Sequence, residues 1–513
     1  MRLVGLWIVV ATLTSFGPGL QFVSSLFVPA MALLVHVSLF WDAIFFVPLF
    51  LGLFTGNTIA FLFSFSLKDN ETSQRNSAVF VSAMSAPLSL LIVLMLVLNR
   101  FVSKTLRWSS IPVLPPIWAS FWLILVLISP VGSWTNSGYS SFGWTVLEQL
   151  GAFGGLSLIN FAMALLVTVI VELNDALLGT RVRLNLLHDD DPTLRPFLNR
   201  SLQDYGEDES GSQKMFFYPK KRTLLIAVIA LFILLFCGGF RLVSDGLFQR
   251  SAKDIASEGT LEVTCLVSGN LHRTKAVLEA GSKFVFWSEG AVSVATDQEL
   301  EFLRSEAAHL SRLHSAHVGI SYLDLRNKKS QKNMFVFFTP NGTSVLDYQK
   351  SHPVFIIEDN LTPGPKKVQF FDDPYLGIRI GVAICFDFDF PQFIRQAGQN
   401  NVDLMLQPSE TWGPIGAFHA SMDSFRSIEN GFTMVRCSDY GESRSVDNLG
   451  RLISRKASGK KGTYIAEVPF PRSKFTLYSA IGDTMGWLCL AYVVVILGLA
   501  FRRCISLRNL SPA

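Results

Sequence analysis

Charged residues are scarce in this chain of 513 amino acids. They make up 16% of the sequence, whereas about 25% is usual in soluble domains. Hydrophobic residues make up 50%, so the composition excludes an ordinary soluble protein and indicates a membrane. The formal net charge of +4 is small for this length, and no pattern of aromatic and basic residues accompanies it. Nucleic acid is therefore not expected as a partner.

Cysteine is sparse as well, and its spacing matches neither a metal site nor a disulfide framework. The six cysteines are Cys237, Cys265, Cys385, Cys437, Cys489 and Cys504. Two of them, Cys237 and Cys489, lie in apolar runs, as is typical of small buried hydrophobic residues. The sequence thus predicts no zinc site, no disulfide scaffold and no cofactor, and only Cys385 has chemically suggestive neighbours.

Long apolar runs dominate the first half of the chain and return near its end. They lie near 3–16, 20–39, 43–65, 78–99, 110–130, 144–171, 223–242 and 479–500. Most contain the roughly 20 apolar residues that a membrane-spanning helix needs. The first run is short and follows Arg2, so a signal peptide is an alternative to a helix there. The prediction is a bundle of about eight spanning helices.

Lysine and arginine gather at particular ends of these runs, and such positive flanks mark the cytoplasmic side. The clusters are Arg100, Lys104 and Arg107; Arg181, Arg183, Lys220, Lys221 and Arg222; and Arg502 and Arg503. They predict that both termini are cytoplasmic and that residues 243–478 are extracytoplasmic. Glycosylation sequons at Asn70, Asn341 and Asn360 would share that outer side, whereas the one at Asn199 would face inward.

The predicted domains follow from these boundaries. A bundle spans 1–242 and includes an acidic cytoplasmic loop at 173–222. An extracytoplasmic domain spans 243–478, a last helix 479–500 and a cytoplasmic tail 501–513.

Short apolar segments alternate with polar, helix-like segments between residues 261 and 470, which predicts an α/β domain with buried strands. The predicted strands are 261–267, 284–287, 334–338, 378–384, 402–406 and 432–436, and the predicted helices are 297–313, 391–400 and 417–430. Polar candidates for catalysis then fall at strand ends, where α/β sites are usually built.

Three of these candidates are Glu289, Lys350 and Cys385. Glu289 ends an apolar strand, a setting that raises a carboxyl pKa toward that of a working base. Cys385 follows a second strand, where a partly exposed thiol would lie close to backbone N–H groups that bind an oxyanion. Lys350 would lower the thiol pKa and neutralise that oxyanion. Taken singly, each could be an ordinary surface or packing residue, but their joint occurrence in the order Glu, Lys, Cys favours catalysis.

The local sequences around these residues resemble those of the apolipoprotein N-acyltransferases, the membrane branch of the nitrilase or carbon-nitrogen hydrolase superfamily. The matching segments are Trp287-Ser-Glu-Gly-Ala291, Tyr348-x-Lys350-x-His352, Glu358, Ile384-Cys-Phe-Asp387 with Phe390-Pro391, and downstream Trp412, His419, Arg426–Asn430 and Arg436. On the membrane side the matching segments are Gly138-Tyr139-Ser140, Gly154-Gly155 and Ile159-Asn160-Phe161.

This resemblance implies an α-β-β-α sandwich attached to the helical bundle. It assigns Glu289 as general base, Lys350 as oxyanion stabiliser and Cys385 as nucleophile, with Glu358 and the N–H near Phe386 in support. Tyr348 and Trp412 are expected to bind substrate. The implied reaction moves a fatty acyl group from a phospholipid through a cysteine thioester to an amine, such as the N-terminus of a lipid-linked protein.

Two departures from the family pattern bear on the substrate. The segment Phe355-Ile356-Ile357-Glu358 replaces Pro-Phe-Gly-Glu, and Asp387 stands where this branch usually has Glu. Because many soluble amidases share that Asp, a membrane-tethered amidase or hydrolase using the same triad is an alternative, and a non-catalytic scaffold is a third. The apolar run 354–357 predicts either a buried strand or a membrane-touching lid.

Overall fold

The computed structural model describes residues 2–16, 24–64, 71–188, 221–248, 259–355, 357–411, 415–457, 459 and 461–509. Three predictions concern residues outside these ranges. They are the sequons at Asn70 and Asn199, most of the acidic loop at 173–222, and the substrate-binding role of Trp412.

Apolar helices form the first half of the chain. In order they are α1 (Arg2–Phe16), α2 (Ser24–Phe40), α3 (Phe46–Ser64), α4 (Glu71–Leu106), α5 (Leu114–Ile128), the short α6 (Thr145–Glu148), α7 (Gly151–His188) and α8 (Lys221–Phe248). Within the part of the chain that the structure describes, five helices are long and apolar enough to cross a membrane, and α1, α2 and α5 are apolar but shorter. At 1.5 Å per residue, a 15-residue helix such as α5 extends only about 22 Å.

Three helices extend past predicted domain boundaries. Helix α7 continues through residue 188, so the start of the predicted loop at 173–222 is helical. Helix α8 continues to Phe248, beyond the predicted domain boundary at 243. The last helix runs from Thr484 to Asn509, so most of the predicted tail at 501–513 is helical too. Polar residues at helix ends extend these helices past the apolar runs, and the hydropathy pattern alone misses them.

The second half of the chain contains two β-sheets. The strands are β1 (Thr260–Val267), β2 (Phe284–Trp287), β3 (Val292–Val294), β4 (His317–Asp324), β5 (Lys332–Phe338), β6 (Ser344–Gln349), β7 (Gln369–Asp373), β8 (Ile378–Val382), β9 (Leu404–Glu410), β10 (Thr433–Asp439), β11 (Glu442–Val446), β12 (Leu452–Ala457) and β13 (Gly462–Pro469). The helices are α9 (Leu271–Glu279), α10 (Asp297–His314), α11 (Pro391–Gln399), α12 (Ile415–Asn430), α13 (Leu477–Ile481) and α14 (Thr484–Asn509).

The strand order is β13-β1-β2-β4-β5-β6 in the first sheet, with β3 paired to β4, and β12-β11-β10-β9-β8-β7 in the second. An apolar core lies between the sheets and includes Phe286, Phe335, Ile380 and Met434. Helix α10 covers the outer face of the first sheet, and α11 and α12 pack on the second. This is the predicted α-β-β-α sandwich.

Every predicted strand and helix of this domain is confirmed, with ends shifted by a few residues. Strands β3, β4, β6, β7, β11, β12 and β13 were not predicted. The missed strands are mostly at or near sheet edges, where polar residues interrupt the apolar pattern. Helix α12 joins the two halves because Ile415, Met422, Phe425 and Ile428 belong to the core of the helical bundle.

Candidate active site

Strand ends bring the predicted carboxylate, ammonium and thiol together. Glu289 follows β2, Lys350 follows β6, and Cys385 opens a 3-10 turn after β8. The Lys350 Nζ atom donates a hydrogen bond to Glu289 Oε1 over 2.7 Å, and the Cys385 thiol lies within hydrogen-bonding reach of the same carboxylate. Three groups that are far apart in sequence therefore surround one point.

The Glu289 carboxylate is buried, with 5% of the residue exposed, and all its contacts come from donors. Its Oε1 atom also accepts from Asn333 Nδ2 at 2.7 Å, and its Oε2 atom accepts from the backbone N–H of Glu410 at 2.9 Å. Burial raises the pKa of Glu289, although the nearby Lys350 ammonium lowers it in part. A carboxylate with a raised pKa is a stronger base, as the sequence predicted.

Lys350 is fully enclosed between two carboxylates. Besides Glu289, its Nζ atom contacts both oxygens of Glu358, at 2.7 and 3.0 Å. Burial lowers the pKa of Lys350, but the charges of Glu289 and Glu358 outweigh burial and hold that pKa well above its ordinary value. The lysine is therefore charged, as an oxyanion stabiliser must be.

Glu358 ends a turn that faces the helical bundle. Its Oε2 atom accepts from the backbone N–H of Val354 at 2.6 Å, and the Val354 side chain packs against the core of the bundle. Phe355 and Ile357 are 53% and 54% exposed. Of the two alternatives for the run 354–357, the buried strand is not observed, because its described residues belong to a turn whose backbone is bonded by Glu358.

Cys385 adopts a left-handed backbone conformation, with φ at +45°. The expectation of a partly exposed thiol is wrong, since only 4% of the residue is exposed. Burial and the Glu289 charge raise the pKa of Cys385 well above its ordinary value, and Lys350 lowers it only in part. The resting thiol is therefore protonated, and a base is needed to activate it.

Asp387 fixes the turn that carries Cys385. One oxygen accepts from the Tyr348 hydroxyl at 2.6 Å and from the backbone N–H of Ile384 at 2.9 Å. The other accepts from the backbone N–H of His352 at 2.8 Å. Tyr348 is 1% exposed, so its hydroxyl supports this turn, and the structure does not favour the substrate-binding role predicted from the sequence.

A second network of buried side chains hydrogen bonds to the Cys385 carbonyl. Gln407 Nε2 donates to that carbonyl at 3.3 Å and to Asp423 at 2.7 Å. Asp423 also pairs with Arg436, whose guanidinium contacts His419 Nδ1 at 3.2 Å. Sequence reasoning noted His419 and Arg436 only as family matches and missed Gln407 and Asp423.

Among the described residues, Asp389, His419 and Asp423 lie close enough to share a metal ion. Burial lowers the pKa of His419 to about 4, which leaves it neutral. The positive charge of this cluster comes from Arg436, which already pairs with Asp423. The arrangement therefore fits an ion-pair network that stabilises the nucleophile turn better than it fits a metal site.

The helical bundle touches the same turn. The backbone N–H of Ser133, in the loop after α5, donates to the Asp389 carbonyl at 2.7 Å. A Cβ atom on the preceding Gly132 would lie 2.3 Å from that carbonyl. The Phe386 ring meets Trp134 of this loop edge-on, with ring centroids 6.3 Å apart. The nucleophile turn therefore rests directly on the bundle.

Comparisons with known proteins place this geometry in a family. Residues 255–476 match the carbon-nitrogen hydrolase family model. Apolipoprotein N-acyltransferase from Rickettsia bellii (strain RML369-C) is 25% identical over 253 residues, which cover 44% of this chain and 49% of that protein. The chain is a divergent member of the nitrilase superfamily.

The chain is also similar to amidases. An (R)-stereoselective amidase from Pseudomonas sp. is 26% identical over 131 residues, covering 24% of this chain and 46% of that protein. A cysteine-to-serine mutant of an amidase from Nesterenkonia AN1 has a solved structure with a TM-score of 0.37 and 15% identity, covering 41% of this chain and 92% of that chain. The matched region spans about half the length of the curated relatives, or less.

One residue of the site, Glu410, was missed by the sequence analysis. It is the last residue of β9, which pairs with the strand leading to Cys385. Its carbonyl accepts from the Cys385 thiol at 3.3 Å. The predicted strand at 402–406 stopped short of it, but an acidic residue beyond the end of a buried strand is a signal that could have found it.

A disulfide between Cys265 and Cys437 is also present, with the Cα atoms 5.4 Å apart. The expectation of no disulfide is wrong in this respect. Cys265 lies in β1 and Cys437 in β10, so the bond joins the two sheets. A separation of 172 residues gives no local spacing to recognise, although both cysteines lie in or next to predicted strands.

The Gly-Tyr-Ser match lies where the bundle meets α12. The Arg426 guanidinium donates to the Tyr139 hydroxyl at 2.6 Å, and that hydroxyl also hydrogen bonds with Ser133 at 2.7 Å. Asn160 of α7 contacts Asn136 and Ser137 at 2.9 and 2.7 Å. These matched residues therefore connect the apolar helices to the hydrolase domain.

Proposed function

We propose that this protein is an N-acyltransferase that moves a fatty acyl group from a phospholipid to an amine through a thioester on Cys385. The observation that carries the proposal is the meeting of Glu289, Lys350 and Cys385 around one point next to a bundle of apolar helices. The similarity to an apolipoprotein N-acyltransferase supports the same class of reaction.

The first step forms the thioester. The Glu289 carboxylate removes the Cys385 proton, and the resulting thiolate attacks the ester carbonyl carbon. Negative charge develops on the carbonyl oxygen, where the Lys350 ammonium and the N–H of Phe386 stabilise it. The carbon-oxygen bond then breaks, and Glu289 returns its proton to the departing lysolipid oxygen. Splitting one difficult reaction into two steps in this way lowers each barrier.

The second step transfers the acyl group. An amine attacks the thioester carbonyl, Glu289 takes a proton from the attacking nitrogen, and the carbon-sulfur bond breaks as the thiol is restored. By family resemblance the acceptor is the N-terminus of a lipid-linked protein. Glu358 keeps Lys350 oriented through both steps, because both of its oxygens contact the ammonium.

We propose the domain order predicted from the sequence, with the hydrolase domain, which lies between α8 and α14, on the extracytoplasmic side. Three observations support this orientation. The Cys265–Cys437 disulfide is typical of oxidising compartments. The sequon residues Asn341 and Asn360 are exposed, as glycosylation requires. The basic clusters beside the helices favour a cytoplasmic location for the opposite ends.

We further propose that the turn carrying Phe355, Ile357 and Glu358 is a lid that contacts lipid. Its apolar side chains are exposed, and Val354 at its base packs against the helical bundle. A phospholipid entering from the bilayer would meet these side chains before it reaches Lys350.

A membrane-tethered amidase is the second candidate. Asp387 supports it, as does the similarity to amidases, and it uses the same triad with water as the acceptor. The purified full-length protein, in detergent with labelled phospholipid, separates the two. We expect label on Cys385 that persists until an amine is added. Rapid loss of label in water would favour the amidase, and a complete lack of labelling would contradict both functions and leave a scaffold.

A further inference from the structure

The side chain of Glu410 differs in exposure from the other charged groups of the site. Glu289 and Lys350 are 5% and 1% exposed, whereas Glu410 is exposed. The Glu410 backbone is nevertheless fixed at the centre, since its N–H donates to Glu289 and its carbonyl accepts from the Cys385 thiol. An exposed carboxyl group therefore lies beside the buried catalytic groups, at the end of strand β9.

The charges around Glu410 favour a cation at this position. The carboxylates of Glu289, Asp439 and Glu358 all act on it, against the single ammonium of Lys350. Reduced solvation, followed by the Glu289 and Asp439 charges, raises the pKa of Glu410 to about 7. A positively charged ligand would relieve this excess of negative charge.

Acyl transfer to an amine leaves an extra proton that a carboxylate such as Glu410 could remove. At neutral pH an alkyl amine arrives as an ammonium ion, which carries one more proton than the attacking amine. Glu289 cannot accept it permanently, because in each step Glu289 takes one proton and returns it. Water as the acceptor arrives uncharged and brings no such proton. Amine transfer, but not hydrolysis, therefore has an extra proton to remove, which a second base beside the thioester would accept.

We propose that the Glu410 carboxylate binds the ammonium group of the acceptor, removes its extra proton and releases that proton to water. The neutral amine then attacks the Cys385 thioester, and Glu289 handles the second nitrogen proton. This inference rests on the proposed acyltransferase function and specifies its acceptor as a cationic primary amine that binds beside Glu410.

The test uses the full-length protein in detergent, acylated on Cys385 with a p-nitrophenyl fatty ester. Thioester loss is then followed in buffer alone, with butylamine, which is mostly protonated at pH 7, and with hydroxylamine, which is mostly uncharged. The variants are Glu410→Gln and the charge-conserving Glu410→Asp. Glu301→Gln is the matched control, since Glu301 is an exposed residue on α10.

For Glu410→Gln we expect aminolysis by butylamine to slow by about tenfold or more, in line with the loss of a general base. Thioester formation, loss in buffer and reaction with hydroxylamine should each stay close to the values of Glu301→Gln. Partial recovery in Glu410→Asp would support a charge requirement. Equal slowing with both amines, or no slowing, would overturn the inference while leaving the acyltransferase function intact. If the unaltered protein forms no thioester, the proposed function fails and the inference fails with it.

Discussion

Both carboxylate oxygens of Glu358 contact the Lys350 ammonium, at 2.7 and 3.0 Å, although the two residues belong to different segments of the site. Lys350 directly follows β6, whereas Glu358 belongs to the turn beside the helical bundle in which Phe355 and Ile357 are exposed. The charge that would stabilise an oxyanion is thus partly held by the segment that we propose to be a lipid-contacting lid. Displacement of this turn would change the electrostatic setting of Lys350.

Replacement of Glu358 by Gln should slow Cys385 acylation by about tenfold or more, because Lys350 loses the contact that orients it toward the oxyanion. The rate of label incorporation from a fatty ester measures this effect. Asp359→Asn is the control, since Asp359 is exposed next to Glu358. Acylation at the control rate would show that Glu289 alone positions the lysine.

The pH dependence of Cys385 alkylation should reveal the charged groups next to the thiol. Burial and Glu289 raise the pKa of the thiol, so alkylation by iodoacetamide should continue to increase above pH values of about 8.5, where an ordinary thiol is half ionised. Glu289→Gln removes a negative charge and should shift the midpoint downward. Lys350→Gln removes a positive charge and should shift it upward.

Peptide mass spectrometry would follow Cys385 separately from the other free cysteines, Cys237, Cys489 and Cys504. Denatured protein provides the reference midpoint. A midpoint unchanged by both substitutions would contradict the proximity of the three groups.

Loss of the disulfide should destabilise the hydrolase domain without removing any catalytic group. Replacing Cys265 and Cys437 by Ser should lower the free energy of unfolding by about 2–5 kcal/mol, since the bond closes a long loop. Thermal unfolding of the full-length protein in detergent measures the loss, with Cys504→Ser as the control. Equal stability of the two variants would contradict a stabilising role.

The proposed lid predicts a substrate-dependent defect. Serine at both Phe355 and Ile357 should reduce acylation by bilayer phospholipid more than acylation by a short soluble ester, because only the former must pass the apolar turn. Phe302→Ser is the control, since Phe302 is 65% exposed on α10. Equal reductions with both donors would refute the lid and favour a structural role for the turn.

Local sequence patterns predicted an α/β domain because its central strands are mostly apolar and buried, as at Phe284–Trp287 and Ile378–Val382, whereas the sandwich arrangement was implied by the family resemblance. They also predicted Glu289 and Cys385 as site residues, because each follows such a strand, whereas Lys350 follows β6, which was not predicted, and was identified from its own local sequence. They missed the mixed-polarity outer strands, such as Leu452–Ala457, where alternation is weak.

Local sequence patterns could not predict features that depend on contacts between residues far apart in the chain. Glu410 gains its significance from backbone contacts to Glu289 and Cys385, and neither partner is close in sequence. Cys265 and Cys437 pair only because two sheets stack on each other. The low exposure of Cys385 likewise results from its place in the apolar core between the two sheets, which the sequence of its own turn does not reveal.

The contact between Gly132 and the Asp389 carbonyl limits how this protein could be engineered. A truncated, water-soluble version lacking the helices would lose the loop on which its nucleophile turn rests, together with the hydrogen bond from Ser133. Excision of the hydrolase domain would therefore have to be accompanied by a graft that replaces the 129–135 loop.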